Sequence, residues 1–190
     1  MTARDDLVKA AIDLIRRHGV AGTGLSELTD RSGRSRRTIY LNFPGGKSEL
    51  VTEAARVAGA AISALIDAVP VGAAPVEVLD ALIEWWRRTL TANGFEAGCP
   101  VVAAALGRSE APAAAAAAGL AFGEWERILA GRIGAAGVTE DVATALASTA
   151  IAAIEGAVVM CSASGTTAPL DRVAGQLRIL VEAQSRPGVS

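Results

Sequence analysis

Ser35, Arg36, Arg37 and Thr38 put two guanidinium groups and two hydroxyls in four consecutive residues, two positions beyond Gly33. Arginine is the usual bidentate donor to a guanine edge, and guanidinium and hydroxyl groups also hold phosphate oxygens. Arg31, Arg34, Arg36, Arg37 and Lys47 fall within 17 residues, and no acid lies between the first and the last. Leu25 to Phe43 reads as two short helices joined by a tight turn at Gly33. A helix that opens with this donor set can enter the DNA major groove while the helix before it braces the backbone. The competing reading is a solvated helix face, but the turn and the absent acids favour DNA. Either arginine can read a base or hold a phosphate.

Three further residues belong to the same chemistry. Tyr40, the only tyrosine, either gives its hydroxyl to a phosphate or covers a small core. Ile39 and Phe43 already supply apolar anchors one turn apart, which favours phosphate. Thr23 is expected to cap the helix running to Ser32 and to touch phosphate, since a capped helix N-terminus attracts anions. Lys47, at the start of the next helix, is expected to face phosphate. Gly46-Lys47-Ser48 matches the end of a nucleotide-binding loop, but Leu41 stands where that motif needs its first glycine and no strand precedes it.

A second group could hold a small molecule. Trp86, Phe95, Cys99, Phe122, Trp125, Glu155 and Met160 are the candidate lining of an apolar pocket, in a chain only 4% aromatic. Simple core packing is the alternative for each. Glu155 either orients a ligand hydroxyl or bonds a backbone group at a helix crossing. Cys99 begins a helix, where the dipole lowers a thiol pKa. A thiol switch with Cys161, or with Cys99 of a second copy, stands against a cap or pocket role.

Composition narrows the classes. Eighteen basic and twenty acidic residues leave a net charge of −2. The first 50 residues carry nine Lys/Arg and six Asp/Glu, and the remainder nine and fourteen. A basic head on an acidic body fits a local DNA contact rather than general nucleic-acid coating. One histidine and two distant cysteines argue against metal sites, histidine triads and a disulfide framework, so no metal, cofactor or enzymatic activity is expected. Acids at Asp5 and Asp6 interrupt any signal-like apolar run, and a cytoplasmic location is expected. Val142–Ala163 has the length of a membrane span but holds Thr144, Ser148, Thr149, Glu155 and Ser162 and lacks a basic flank. It reads as a helix buried on nearly every side, with no membrane partner.

The elements that must position these groups are all helical. Leu7, Ala11, Leu14 and Ile15 form one stripe that Gly19 stops. Pro44-Gly45-Gly46 breaks the chain before a helix from Lys47 to about Val69. Pro75 opens a helix with Leu79, Leu82, Ile83, Trp86 and Leu90 on one face. Further helices begin at Cys99-Pro100 and Pro112, the latter ending at Gly137. The last two span about 140–164 and 169–185. The expectation is nine helices: three short ones, then six around a larger core.

These residues resemble the tetracycline-repressor family of bacterial regulators. The likeness rests on Gly19 with Thr23, on Gly33, then on Thr38-Ile39-Tyr40 and Phe43 ahead of Lys47 and Leu50. Phe95-Glu96-Ala97-Gly98-Cys99-Pro100, Phe122 with Trp125, Ile154-Glu155-Gly156-Ala157 and Ala168-Pro169-Leu170-Asp171 resemble the branch of lincomycin-resistance and flavonoid-responsive repressors. The resemblance implies a homodimer that binds a palindromic operator and is released by a small ligand. It places Arg36, Arg37 and Thr38 toward the groove, and Tyr40, Asn42 and Lys47 toward the phosphates. Arg34 departs from the family's small apolar turn residue, and Asn42 stands where histidine is common.

The expected protein is therefore all-α, with a helix-turn-helix domain over 1–46 and a ligand-binding and dimerisation domain over 47–190. Its expected partners are double-stranded operator DNA, a small apolar inducer (aromatic ligands included) and a second copy joined through the last two helices. The alternative is a DNA-binding adaptor controlled by a protein partner or by oxidation of Cys99.

Overall fold

Apolar side chains recur at three- and four-residue intervals along the chain, and each such run closes into a helix. The computed structural model describes residues 2–185, which hold nine helices and no strand. They are α1 (Ala3–His18), α2 (Leu25–Ser32), α3 (Arg36–Asn42), α4 (Gly46–Asp67), α5 (Pro75–Ala92), α6 (Pro100–Leu106), α7 (Pro112–Gly134), α8 (Glu140–Ser164) and α9 (Ala168–Ser185).

Local chemistry sets the ends. Thr2 accepts the Asp5 amide while its own amide donates to the Asp5 carboxylate at 2.8 Å, a capping box that starts α1. The turn between α2 and α3 needs a left-handed residue, and Gly33 supplies it at φ 65°. Ser35 caps α3 by accepting the Thr38 amide.

Two expected ends differ. Thr23 does not cap α2: Gly24 occupies that position, and the Thr23 hydroxyl donates to the Gly19 carbonyl at 2.8 Å. The hydroxyl closes the turn that leaves α1, so it is spent before α2 begins. The seventh helix ends at Gly134, and Gly137, at φ 88°, belongs to the turn that follows.

The described chain divides into two compact units, Met1–Ala61 with Ala97–Ala121 and Ile62–Glu96 with Phe122–Ser190, so α4 and α7 contribute to both. In the first, Leu7, Leu14, Ile15, Leu28, Ile39, Phe43 and Leu50 form the core beneath α1 to α4. The segment after Ala97 joins them. Arg16 donates to the carbonyls of Gly98 and Ala97 at 3.2 and 3.3 Å and accepts the Gly98 amide through its own carbonyl, and α6 packs on α1. Burial holds the Arg16 guanidinium below its ordinary pKa.

In the second unit α9 packs on α5 and α8. Trp86, Leu79 and Leu90 of α5, Trp125 and Leu129 of α7 and Leu177 of α9 fill the core. Arg87 and Arg178 reach Asp171 and Asp80, each at 2.7 Å, across the α5–α9 contact.

The eighth helix is not buried on nearly every side. Of its most apolar 18-residue window, with mean hydropathy 1.8, 44% is buried, and by length and composition the helix could cross a membrane. One side packs through Leu146, Ala150, Ile154 and Val158, while Val159 and Met160 are 56% and 55% exposed on the other. Ala145, Thr149, Ala152 and Gly156 leave that outer side small and flat.

Candidate nucleic-acid interface and ligand cavity

The first turn of α3 stands on a small apolar base. Ile39 and Phe43, one turn apart, are fully buried with Leu28 of α2, which fixes the helix with its N-terminal residues outward. Arg36 and Arg37 are exposed and make no hydrogen bond or ion pair among the described residues. The unsatisfied amides at the helix N-terminus add a partial positive charge beside them.

The basic run seen in the sequence is really two sets. Arg31 pairs with Asp13, which also holds Arg17, and Arg34 pairs with Asp6, each at 2.5 Å, so acids from α1 engage both. This gives Arg34 the role its sequence position left undefined: it ties the turn to α1. The two arginines without partners are the ones expected to meet DNA.

The other candidates surround them. Ser35 and Thr38 share a hydrogen bond between their hydroxyls at 2.9 Å beside the helix start. Tyr40 is 50% exposed, with its ring against Gly46: a Cβ on Gly46 would lie 3.0 Å from Tyr40 Cε1. Lys47 is half-buried at the start of α4 and makes no hydrogen bond or ion pair among the described residues. Asn42 donates its side-chain amide to the Thr38 carbonyl at 2.9 Å, so it closes the end of α3. Thr23 departs most from expectation, being fully buried with its hydroxyl engaged.

Sequence reasoning missed Arg4. Its guanidinium stacks over the Phe43 ring at 4.3 Å, donates to the Asn42 carbonyl at 2.9 Å and reaches Glu53 of α4 at 3.3 Å. One α1 side chain thus joins the end of the recognition helix to α4. No spacing rule marks an arginine 38 residues from its acceptor.

Of the seven expected pocket residues, three come together in the second unit. Trp125 and Glu155 line a closed apolar cavity of about 10 Å³ with Ile66, Leu79, Leu82 and Ile154. Phe122 and Glu155 line an open groove of about 330 Å³ between α7 and α8. The rings of Phe122 and Trp125 meet edge to face, 5.1 Å between centroids.

The other four line neither space. Trp86 is fully buried against Trp85, with 4.7 Å between ring centroids. Phe95 is half-buried in the turn after α5, at φ 64°. Cys99 is a buried residue of the first unit, at the start of α6. Met160 lies on the exposed side of α8. Residue type, and for Trp86 helical spacing, marked these as candidate lining but not which space they border.

A basic helix N-terminus held outward by a three-helix base in one unit, and a cavity within the other, all-helical unit, define a helix-turn-helix regulator. Two family models match. Residues 7–54 fit the tetR family of bacterial regulatory proteins, and residues 75–176 fit the C-terminal domain of LmrA/YxaF-like transcriptional regulators. An HTH-type transcriptional regulator of Mycobacterium tuberculosis is 36% identical over 188 residues, covering 95% of each chain. The Bacillus subtilis HTH-type regulator YxaF is 26% identical over 186 residues, covering 94% of this chain and 95% of its own. A TetR transcriptional regulator from Legionella pneumophila superposes with a TM-score of 0.85 at 17% identity, covering 95% and 97% of the two chains. The chain belongs to the tetR family of transcriptional regulators. Its work is DNA-dependent regulation rather than catalysis.

Proposed function

We propose that this regulator is a cytoplasmic repressor that binds a palindromic operator as a homodimer and is released by a small apolar ligand. The observation that carries the reading is the pair Arg36 and Arg37, exposed at the α3 N-terminus while Arg31 and Arg34 are paired with acids of α1. Residues 1–46 contact DNA, through Ser35, Arg36, Arg37 and Thr38 at the bases and Tyr40 and Lys47 at the phosphates. Asn42 acts by closing α3. Residues 47–190 dimerise and hold the ligand near Phe122, Trp125 and Glu155.

Dimerisation is supported by the exposed apolar residues of the last two helices: Val159 and Met160 on α8, Ile179 and Leu180 on α9. A single reader covers one half-site, and two-fold symmetry supplies the second at a spacing of about one helical turn or a multiple of it. The ligand acts by population shift: it binds better to a state in which α4 has swung and the two readers have left register. Equal affinity for both states would shift nothing.

Nuclease protection of fragments from the protein's own genomic neighbourhood, in excess competitor DNA, tests this reading. A discrete inverted repeat, protected by the wild type and lost in Arg36→Ala at unchanged helix content, is expected. Salt-sensitive retention without sequence preference would overturn specific operator binding.

A further inference from the structure

We propose that Leu41 is a specificity-determining residue of the DNA interface, packing its aliphatic side chain on the C5-methyl group of a thymine in each operator half-site. This deepens the operator-binding reading above and rests on it.

The position of Leu41 follows from the burial pattern of α3. Successive helical residues turn by about 100°, so Arg36, Arg37, Tyr40 and Leu41 share one face. All four are exposed, whereas Ile39 and Phe43 on the other side are fully buried. Leu41 stands one turn beyond Arg37 and so belongs to the face that carries the unpaired arginines. It is 72% exposed, and the apolar base beneath α3 is complete without it.

Its neighbours narrow what can cover it. No acid stands in α3, and Arg36 and Arg37 make no hydrogen bond or ion pair among the described residues. An aliphatic side chain on a face with two unpaired guanidinium groups suits a polyanion that also offers apolar surface. In the DNA major groove that surface is the thymine methyl, and the phosphates and base edges supply acceptors for the arginines. An apolar protein surface would instead bury both guanidinium groups without partners.

The other side chains of α3 are engaged elsewhere. The Tyr40 ring lies against Gly46, where a Cβ would stand 3.0 Å from Cε1. The Thr38 hydroxyl is bonded to that of Ser35, and the Asn42 amide donates to the Thr38 carbonyl. Of the two aliphatic residues in α3, Ile39 is fully buried and Leu41 is left outward. Leucine makes no hydrogen bond, so it reads a base through apolar contact alone. It therefore separates thymine from uracil, which presents the same hydrogen-bonding edge without the methyl.

The probe is a random-sequence duplex library, from which the full chain selects bound DNA in excess competitor. The enriched site is then resynthesised with single thymines replaced by uracil, which deletes the methyl and keeps the base pair. One thymine per half-site is expected at which uracil weakens wild-type binding by about fourfold, the effect of losing one buried methyl group. Leu41→Ala is expected to bring that thymine-to-uracil ratio to about one, at unchanged helix content. Its salt dependence should match wild type, because the substitution removes apolar contact and no charge. Leu41→Met, which keeps an apolar side chain, should retain a preference of at least about twofold. Uracil tolerated at every thymine, or a thymine preference equal in wild type and Leu41→Ala, would overturn the Leu41 contact and leave operator binding in place. Selection that enriches no inverted repeat would overturn operator binding itself, and the Leu41 contact with it.

Discussion

Asp6 of α1 holds Arg34 of the helix-turn-helix at 2.5 Å, a salt bridge that engages one of the five basic residues from Arg31 to Lys47. Asp13 does the same for Arg31. Two of the five charges in a run that looks uniformly basic are therefore paired, which leaves Arg36 and Arg37 at the start of α3 and Lys47 at the start of α4.

Removing the Asp6 charge should change the electrostatics more than the fold. Asp6→Asn is expected to cost about 0.2–1 kcal/mol, the range of a partly exposed pair. It frees Arg34 for phosphate, so sequence-independent DNA retention should rise and its salt dependence steepen by about one counterion. Arg34→Ala in the same chain should restore the original slope; an unchanged slope in Asp6→Asn would contradict the pairing.

Arg36→Ala and Arg37→Ala should each weaken operator binding, by about 1–3 kcal/mol where the lost group reads a guanine. Neither side chain has a partner within the described residues, so melting temperature and helix content should stay put. Titration of operator and scrambled duplexes separates the roles: a base reader loses discrimination, and a phosphate holder loses affinity for both.

Thr23→Val keeps the shape of a buried side chain and deletes its hydrogen bond to Gly19. The expected loss is about 0.5–1.5 kcal/mol of stability, measured by urea unfolding, with operator affinity unchanged in the folded protein. A selective loss of affinity would restore Thr23 as a phosphate contact.

Acid should loosen the α5–α9 contact. The hydrogen bond from Arg87, with help from the Thr167 hydroxyl, holds the Asp171 carboxyl below its ordinary pKa. A group whose pKa is lower folded than unfolded stabilises the fold above its unfolded pKa, and that contribution disappears as pH falls through the folded value. Wild type should thus exceed Asp171→Asn at pH 7 by about 0.2–1 kcal/mol, since the pair is largely exposed. The gap should close on acidification below about pH 4. A gap that persists at low pH would place the effect in packing instead.

The helices, their breakers and the turn at Gly33 were readable from residue types, because caps, glycines and apolar spacing act over a few residues. Gly33, Ser35, Pro75 and the α8 span fall where local rules put them. Trp86, Phe95, Cys99 and Met160 show the limit. An apolar residue type says that a side chain can line a pocket, but whether it is buried and which cavity it borders depend on helices far away in the chain.

What the sequence alone determined, then, is the secondary structure and the presentation of Arg36 and Arg37 on a helix start. The tertiary structure decided which charges are free and where a ligand can sit. Asp6 and Arg34 are 28 residues apart, Arg4 and Asn42 38 apart, and Arg16 and Gly98 82 apart. Pairing at such separations is set by helix packing, through burial and electrostatics acting across space. No local pattern encodes it.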